Sequence, residues 1–273
     1  MICEEPTTSA SDLFRQLHQA PGLFRLPNCW DAGSARVLES RGARAVATTS
    51  AGLAWSWGHP DGDALPTELL LQSVRAIVRA IGIPLSVDIE SGYSDAPSSV
   101  ARLVEQLLAE GVVGVNIEDG AGAPEVLAEK ITAIRGVAER TGTAVFVNAR
   151  TDVYLRGLVD EPLRVQEALR RAALYRAAGA DGLFVPKVVA DDEIRALAAA
   201  GLPLNVLAMP SLSPLSNLEA LGVRRVSTGS TLAQVALGRA AAAATAFLDQ
   251  GMCEPLFEAA MPYGEVNDRF KDR

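Results

Sequence analysis

The chain has 273 residues, 49% of them hydrophobic, with a formal net charge of −8 at pH 7 and a sequence pI of about 4.9. That length and apolar share suffice for one large core, while the acidic balance and the lack of a strongly basic stretch exclude a nucleic-acid footprint. Three scattered cysteines (Cys3, Cys29, Cys253) form neither a disulfide framework nor a zinc site, and two histidines (His18, His59) without a G-x-S-x-G elbow give no support to a serine hydrolase.

The first residues, "MICEEPTTSASD", lack the charged-then-apolar layout of a signal peptide. No uninterrupted apolar span of membrane length is read, and the Ala-rich "GRAAAAATAFL" reads as a tightly packed helix. The expectation is a soluble, cytoplasmic protein of a reducing compartment, with neither nucleic acid nor membrane as partner.

In chain order, a helix is predicted over about 10–20, followed by alternating strand and helix patterns. Buried strands are predicted at 22–30, 43–52, 83–90, 112–119, 144–151, 180–188, 202–209 and 223–230. Between them, segments such as "TELLLQSVRAIVRAIG" and "SSVARLVEQLLAEG" place Leu, Val and Ile at three- and four-residue intervals, as an amphipathic helix requires. Gly42, Gly82, Gly111, Gly179, Gly201 and Gly222 sit where helices should end. Eight such repeats predict an α/β fold of the (β/α)8 TIM-barrel type, in one domain over 1–273. Its core runs from about 22 to 250, and a helical C-terminal extension from about 251 to 273.

In such a barrel the site lies at the C-terminal ends of the strands. Those ends read "TTSAG", "DIES", "IED" and "NARTD" for the second to fifth strands. Strand alternation would point Asp88 and Glu90 to one face, where Glu118 and, from the loop "WGHPDGD", Asp61 would join them. Four carboxylates sharing a dry pocket require a cation, and oxygen ligands without thiol or imidazole indicate Mg²⁺, with Mn²⁺ as the other candidate. Arg150 would clamp a substrate carboxylate, the backbone of Ser50, Ala51 and Gly52 would hold an anionic oxygen, and Asn205 on the seventh strand would join the substrate-binding set.

Plainer roles stay open. Asp88 and Glu90 could cap or salt-bridge loops, and Arg150 could be an ordinary ion pair with Asp152. Asp119 reads as structural, Cys29 as a small core residue, and Trp30 and Trp55 as aromatic core.

Taken together, "NCWDAGSARVLESRGARAVATTSAGLAWSWGHPDGD", "SVDIESGY", "VNIEDG" and "NARTDVYL" resemble the isocitrate lyase / phosphoenolpyruvate mutase superfamily, from about Pro27 to Ser230. The resemblance implies a Mg²⁺-dependent barrel enzyme that makes or breaks C–C or C–P bonds beside a carboxylate. It implies Asp88 as direct metal ligand, and Asp61, Glu90 and Glu118 as holders of its waters. Ser50, Ala51 and Gly52 then match the oxyanion segment and Arg150 the carboxylate-binding arginine, with Asp61, Glu118 and Arg150 as the catalytic set. It also implies a helix-exchanged dimer assembling as a dimer of dimers. The Lys-Lys-Cys-Gly-His loop of the lyases is replaced here by "GAGAPEVLAEK", and the mutase loop with its Lys and Asn is missing too. The leading expectation is a lyase on a small 2-oxo or 2-hydroxy (di)carboxylate, by oxaloacetate decarboxylation or cleavage of a 2-methylisocitrate-like acid. The alternatives are phosphonopyruvate-type C–P chemistry, a Schiff-base aldolase using Lys187, and a non-catalytic 2-oxo acid binding protein.

Overall fold

The structure, a computed structural model, describes residues 9–271; Cys3 lies outside the described residues. The first predicted strand is broken in the middle. Phe24–Leu26 (β1) and Asn28–Cys29 (β2) flank Pro27, and they pair with opposite neighbours. A proline has no N–H to donate and cannot continue a ladder, so the segment changes partner there.

The remaining strands are Val46–Thr48 (β3), Leu85–Asp88 (β4), Gly114–Glu118 (β5), Phe146–Arg150 (β6), Gly182–Phe184 (β7), Leu204–Leu207 (β8) and Arg225–Ser227 (β9). All neighbours pair in parallel, in the order β1-β9-β8-β7-β6-β5-β4-β3-β2. The eight predicted strands are therefore present as nine segments, and residues 24–29 close the barrel by touching both β9 and β3. The predicted helices follow their periodicity. Thr67–Ala80 buries Leu70, Leu71, Val74 and Ile77, and Pro97–Ala109 buries Val100, Leu103, Val104, Leu107 and Leu108. Gly42 and Gly111 carry φ of 89° and 94°, as helix-ending glycines do, whereas Gly82 does not; its N–H donates to a Glu39 carboxylate oxygen at 2.7 Å.

Two layers fill the barrel interior. At the N-terminal end, helix Ala10–Gln19 inserts Phe14 and His18 as a plug. Phe14 meets Phe146 edge-on at 5.6 Å and His18 stacks on the same ring at 4.0 Å. Burial in that plug lowers His18 to a pKa of about 3, so it stays neutral. Above the plug the interior is polar. Asn148 Nδ2 and Arg225 Nη2 both donate to Asn116 Oδ1, at 2.8 and 3.3 Å. Arg225 is 1% exposed, and its burial lowers its pKa to about 9.

Two expectations are corrected at the surface. The Ala-rich segment does form a helix, Thr231–Gln250, but it does not pack tightly into this chain. Only 6% of its most apolar 18-residue window is buried, and Val235, Leu237, Phe247 and Leu248 are exposed. Its mean hydropathy of 1.3 and its length would also suit a membrane span, by composition alone. The extension beyond it returns to the barrel, where Arg36 Nε donates to the Arg269 carbonyl at 2.6 Å. Trp55, expected in the core, is 38% exposed, while Cys29 is fully buried and its thiol is pushed up to about 12 by desolvation.

The plug makes a direct stability prediction. Phe14→Ala removes a ring at the centre of the lower layer and is expected to cost about 3–5 kcal/mol in denaturant unfolding. A loss below about 1 kcal/mol would show that the plug is not part of the core.

Candidate active site

The open end of the barrel gathers Asp88 from β4, Glu118 from β5 and Arg150 from β6. Glu118 and Arg150 are register partners in adjacent strands, so both side chains emerge on the same face. Arg150 Nη1 lies 2.6 Å from Glu118 Oε2, and its Nε and Nη2 donate to the two oxygens of Asp152 at 2.7 and 3.2 Å. The plainer reading of Arg150, an ion pair with Asp152, is the one this geometry shows, with Glu118 as a second partner. Three of the five guanidinium N–H groups are used, which leaves one on each Nη. The ring of Phe184 lies 5.9 Å from its Cζ.

Asp152 is itself fixed from behind. Asp119 accepts the Asp152 backbone N–H at 2.8 Å, Arg171 Nη1 at 2.8 Å and the Tyr175 hydroxyl at 2.5 Å. Asp119 is thus structural, as its position beside Glu118 suggests, and it anchors the residue that anchors Arg150.

Asp88 receives the N–H of Glu90 at 3.2 Å and a hydrogen bond from the Ser50 backbone, while its own N–H donates to Thr48 Oγ1 at 2.8 Å. Its pKa is raised chiefly by desolvation, with Arg150 acting in the opposite sense and the charge of Asp61 adding to the rise. Glu118 is pushed up to about 8, again first by desolvation, against the pull of Arg150 and with Asp88 and Asp152 pushing further. Glu90 is raised to about 7, by desolvation and by Asp88. Arg150 lowers Asp88 and Glu118, and Asp88 acts in turn on the buried Arg225, yet desolvation keeps all three carboxyls raised.

Several predicted residues take a different place. Strand β4 ends at Asp88, and Glu90 lies beyond it with φ of 51°, so simple alternation is not what brings the two acids together. Both Glu90 oxygens are engaged: Oε2 by the Asp63 backbone N–H, and Oε1 by the Tyr93 hydroxyl at 3.0 Å. Asp61 stays on the exposed loop, and its tie to Asp88 is through charge. Residues 50–52 are not a turn but the start of a seven-residue helix, Ser50–Ser56. Ala51 and Gly52 are buried there, with a Cβ on Gly52 meeting Trp30 Cβ at 2.7 Å. Asn205 is 1% exposed and accepts from Ser227 Oγ inside the barrel at 3.2 Å. Lys187 is exposed, which removes the desolvation that an imine-forming lysine needs.

Reasoning from sequence missed Asp63, Tyr93 and Lys130. Asp63 carries φ of 56° and Tyr93 φ of 57°. The Asp63 carboxylate binds Ser91 Oγ at 2.6 Å and the Tyr93 N–H at 3.2 Å, and Lys130 Nζ donates to the Ser91 carbonyl at 2.8 Å. The "DGD" spacing offered Asp63 as readily as Asp61, whereas Lys130 gave no signal, lying in an ordinary amphipathic helix.

The donor set suits a hard divalent cation. It is all oxygen and desolvated. Among the described residues no three His, Cys, Asp or Glu side chains enclose a common point, so the fit is to an ion that keeps waters and takes one or two carboxylates, as Mg²⁺ does.

The chain belongs to the phosphoenolpyruvate phosphomutase family, whose model matches residues 14–248. It is 39% identical over 265 residues to an uncharacterized protein of Mycobacterium tuberculosis, covering 95% of this chain and 96% of that one. It is 33% identical over 210 residues to an oxaloacetate decarboxylase of Bradyrhizobium sp., covering 72% and 69% of the two chains. A solved structure from Burkholderia cenocepacia J2315, provisionally described as a lyase/mutase, superposes with a TM-score of 0.88 at 38% identity, covering 96% and 95%. Other relatives are a 2-methylisocitrate lyase of Halalkalibacterium halodurans, 28% identical, and a carboxyvinyl-carboxyphosphonate phosphorylmutase of Arabidopsis thaliana, 30% identical.

The raised carboxyls give a pH prediction for protein held in chelator. A carboxyl whose folded pKa exceeds its unfolded value favours the folded state at low pH, and that contribution is lost as pH rises from about 4.5 to about 8. Glu118→Gln cannot lose it. The stability of the variant relative to wild type is therefore expected to shift in its favour between pH 5 and pH 8, by urea titration; a difference independent of pH would contradict the assignment.

Proposed function

We propose that the protein is a Mg²⁺-dependent carbon–carbon lyase acting on a small 2-oxo or 2-hydroxy acid, with oxaloacetate decarboxylation as the representative reaction. The observation that carries this reading is the fixed constellation of Asp88, Glu118 and Arg150 at neighbouring strand ends. Two N–H groups of Arg150 have no protein partner among the described residues, and they stand beside a desolvated acid cluster. The similarity to an oxaloacetate decarboxylase supports the choice of substrate.

In this reading Asp88 would hold Mg²⁺ directly, Glu118 and Glu90 would hold its waters, and Asp61 would stand at the rim. A divalent cation held there would supply Lewis acidity toward the 2-oxo group of the substrate. Arg150 binds the 2-oxo acid carboxylate through its two remaining N–H donors, and its clamping by Glu118 and Asp152 keeps it from reorienting. The Ser50 N–H holds the Asp88 carboxylate in place. The small loop at 120–123 brings no acid of its own, so proton return falls to solvent or to the raised carboxyls, and decarboxylation tolerates that better than cleavage of a 2-hydroxy acid does.

The exposed apolar face of helix Thr231–Gln250 belongs, in this reading, against a second copy of the chain, as in the helix-exchanged assemblies that the family resemblance implies. Light scattering after size exclusion is expected to give a dimer or tetramer. Phe247→Asp combined with Leu248→Asp is expected to shift it toward monomer, and a wild-type monomer would contradict the reading.

The activity is tested by pyruvate release from oxaloacetate with Mg²⁺. Wild type is expected to exceed Asp88→Ala by on the order of 100-fold or more in kcat/KM, with the excess abolished by EDTA. Equal rates in wild type, the variant and Mg²⁺ alone would remove oxaloacetate decarboxylation.

A further inference from the structure

A cavity of about 360 Å³ opens beside the acid cluster, walled by Glu90, Glu118, Gly120, Ala121, Lys130 and Arg156 among others. The replaced loop, with only glycine and alanine at 120–123, leaves this space free of bulky side chains. The inner acids on its wall already have partners. Glu118 holds Arg150, Glu90 takes the Asp63 N–H and the Tyr93 hydroxyl, Asp63 takes Ser91 and Tyr93, and Asp119 takes Arg171 and Tyr175. Asp95 stands on the exposed outer rim.

The cations on the wall are less satisfied. Lys130 is 4% exposed, and its ammonium donates once, to the Ser91 carbonyl. No carboxylate lies within 4.0 Å of it among the described residues, and a buried ammonium without a counter-charge is costly. Arg156, half of whose side chain is exposed, spends its Nε on Asp152 Oδ2 at 3.0 Å, and its two Nη groups, without a protein partner among the described residues, stay open to the cavity and to water. Asp152 therefore grips Arg150 with Oδ1 and Arg156 with Oδ2, which fixes the two guanidinium groups relative to one another. One faces the acid cluster and the other the cavity next to it.

We propose that this cavity receives the distal carboxylate of a 2-oxo diacid, with Arg156 and Lys130 as its recognition residues. The inference rests on the reading above, in which the near carboxylate sits on Arg150, and it adds the selection of diacids over mono-acids of equal length. Gly120 and Ala121 give the connecting carbons room without offering a polar group that would favour a neutral arm.

The test is calorimetric titration in Mg²⁺ with a matched five-carbon pair, 2-oxoglutarate and 2-oxovalerate, and with oxalate as a probe of the near site alone. Wild type is expected to bind 2-oxoglutarate about tenfold or more tighter than 2-oxovalerate, the scale of one charge-assisted pair. Arg156→Gln is expected to bring that ratio to within about twofold of one, and Lys130→Gln to lower it in the same direction. The ratio is the readout because a merely structural effect through Asp152 would weaken both ligands together. Equal affinities in wild type, or an unchanged ratio in Arg156→Gln, would overturn the inference while leaving the near site standing. Failure of oxalate to bind wild type in Mg²⁺ would instead overturn the underlying reading, and this inference with it.

Discussion

Arg150 is held between Glu118 and Asp152, and the open end of the barrel is arranged around that grip. Its guanidinium bonds a register partner on the neighbouring strand on one side and a fully buried aspartate on the other. A charge in so dry a place is stable only while its partners remain, since removing one leaves the other uncompensated. The chain accordingly surrounds the pair with further support: Asp119 carries the Asp152 backbone, and Arg171 and Tyr175 carry Asp119. The result is an arginine whose orientation is settled before any ligand arrives, which is the pre-organisation that carboxylate recognition rewards.

The same economy governs the acids. Asp88, Glu90 and Glu118 all have raised pKa values, with desolvation as the first cause in each case. Glu90 itself, with its neighbours Asp63 and Tyr93, adopts a left-handed backbone conformation that non-glycine residues seldom take, and the three bond one another. Strain of that kind persists where the surroundings over-determine it, and it gathers at functional sites. The loops here keep carboxylates close together in poor solvent, a condition that a bound divalent cation would relieve.

Much of this was legible in the sequence, for reasons that differ by element. The strand and helix alternation survives because burial periodicity is a local property: Leu70, Val74 and Ile77 face the barrel at the spacing their positions announce. Asp88, Glu118 and Arg150 were legible because strand ends in a barrel converge whatever the loops do. What escaped depends on non-local geometry. Pro27 splits the first strand because its two flanks face different neighbours, and Glu90 leaves its strand to meet Asp63 from another loop. The exposed helix Thr231–Gln250 looked like core because composition alone does not say which surface an apolar helix covers. Arg225 and Lys130 gave no signal in the sequence, because their burial comes from the closure of the barrel and the return of the Ser91 loop.

The chain belongs to the phosphoenolpyruvate phosphomutase family, and the proposed place for its chemistry is the acid cluster with its clamped arginine. The central claim is that Asp88 is the ligand of a divalent cation beside Arg150. Electron paramagnetic resonance titration with Mn²⁺ addresses it without reference to any substrate. The account predicts one site per chain, displaced by Mg²⁺ and lost in Asp88→Asn. Equal Mn²⁺ binding by wild type and variant, or none by wild type, would contradict it.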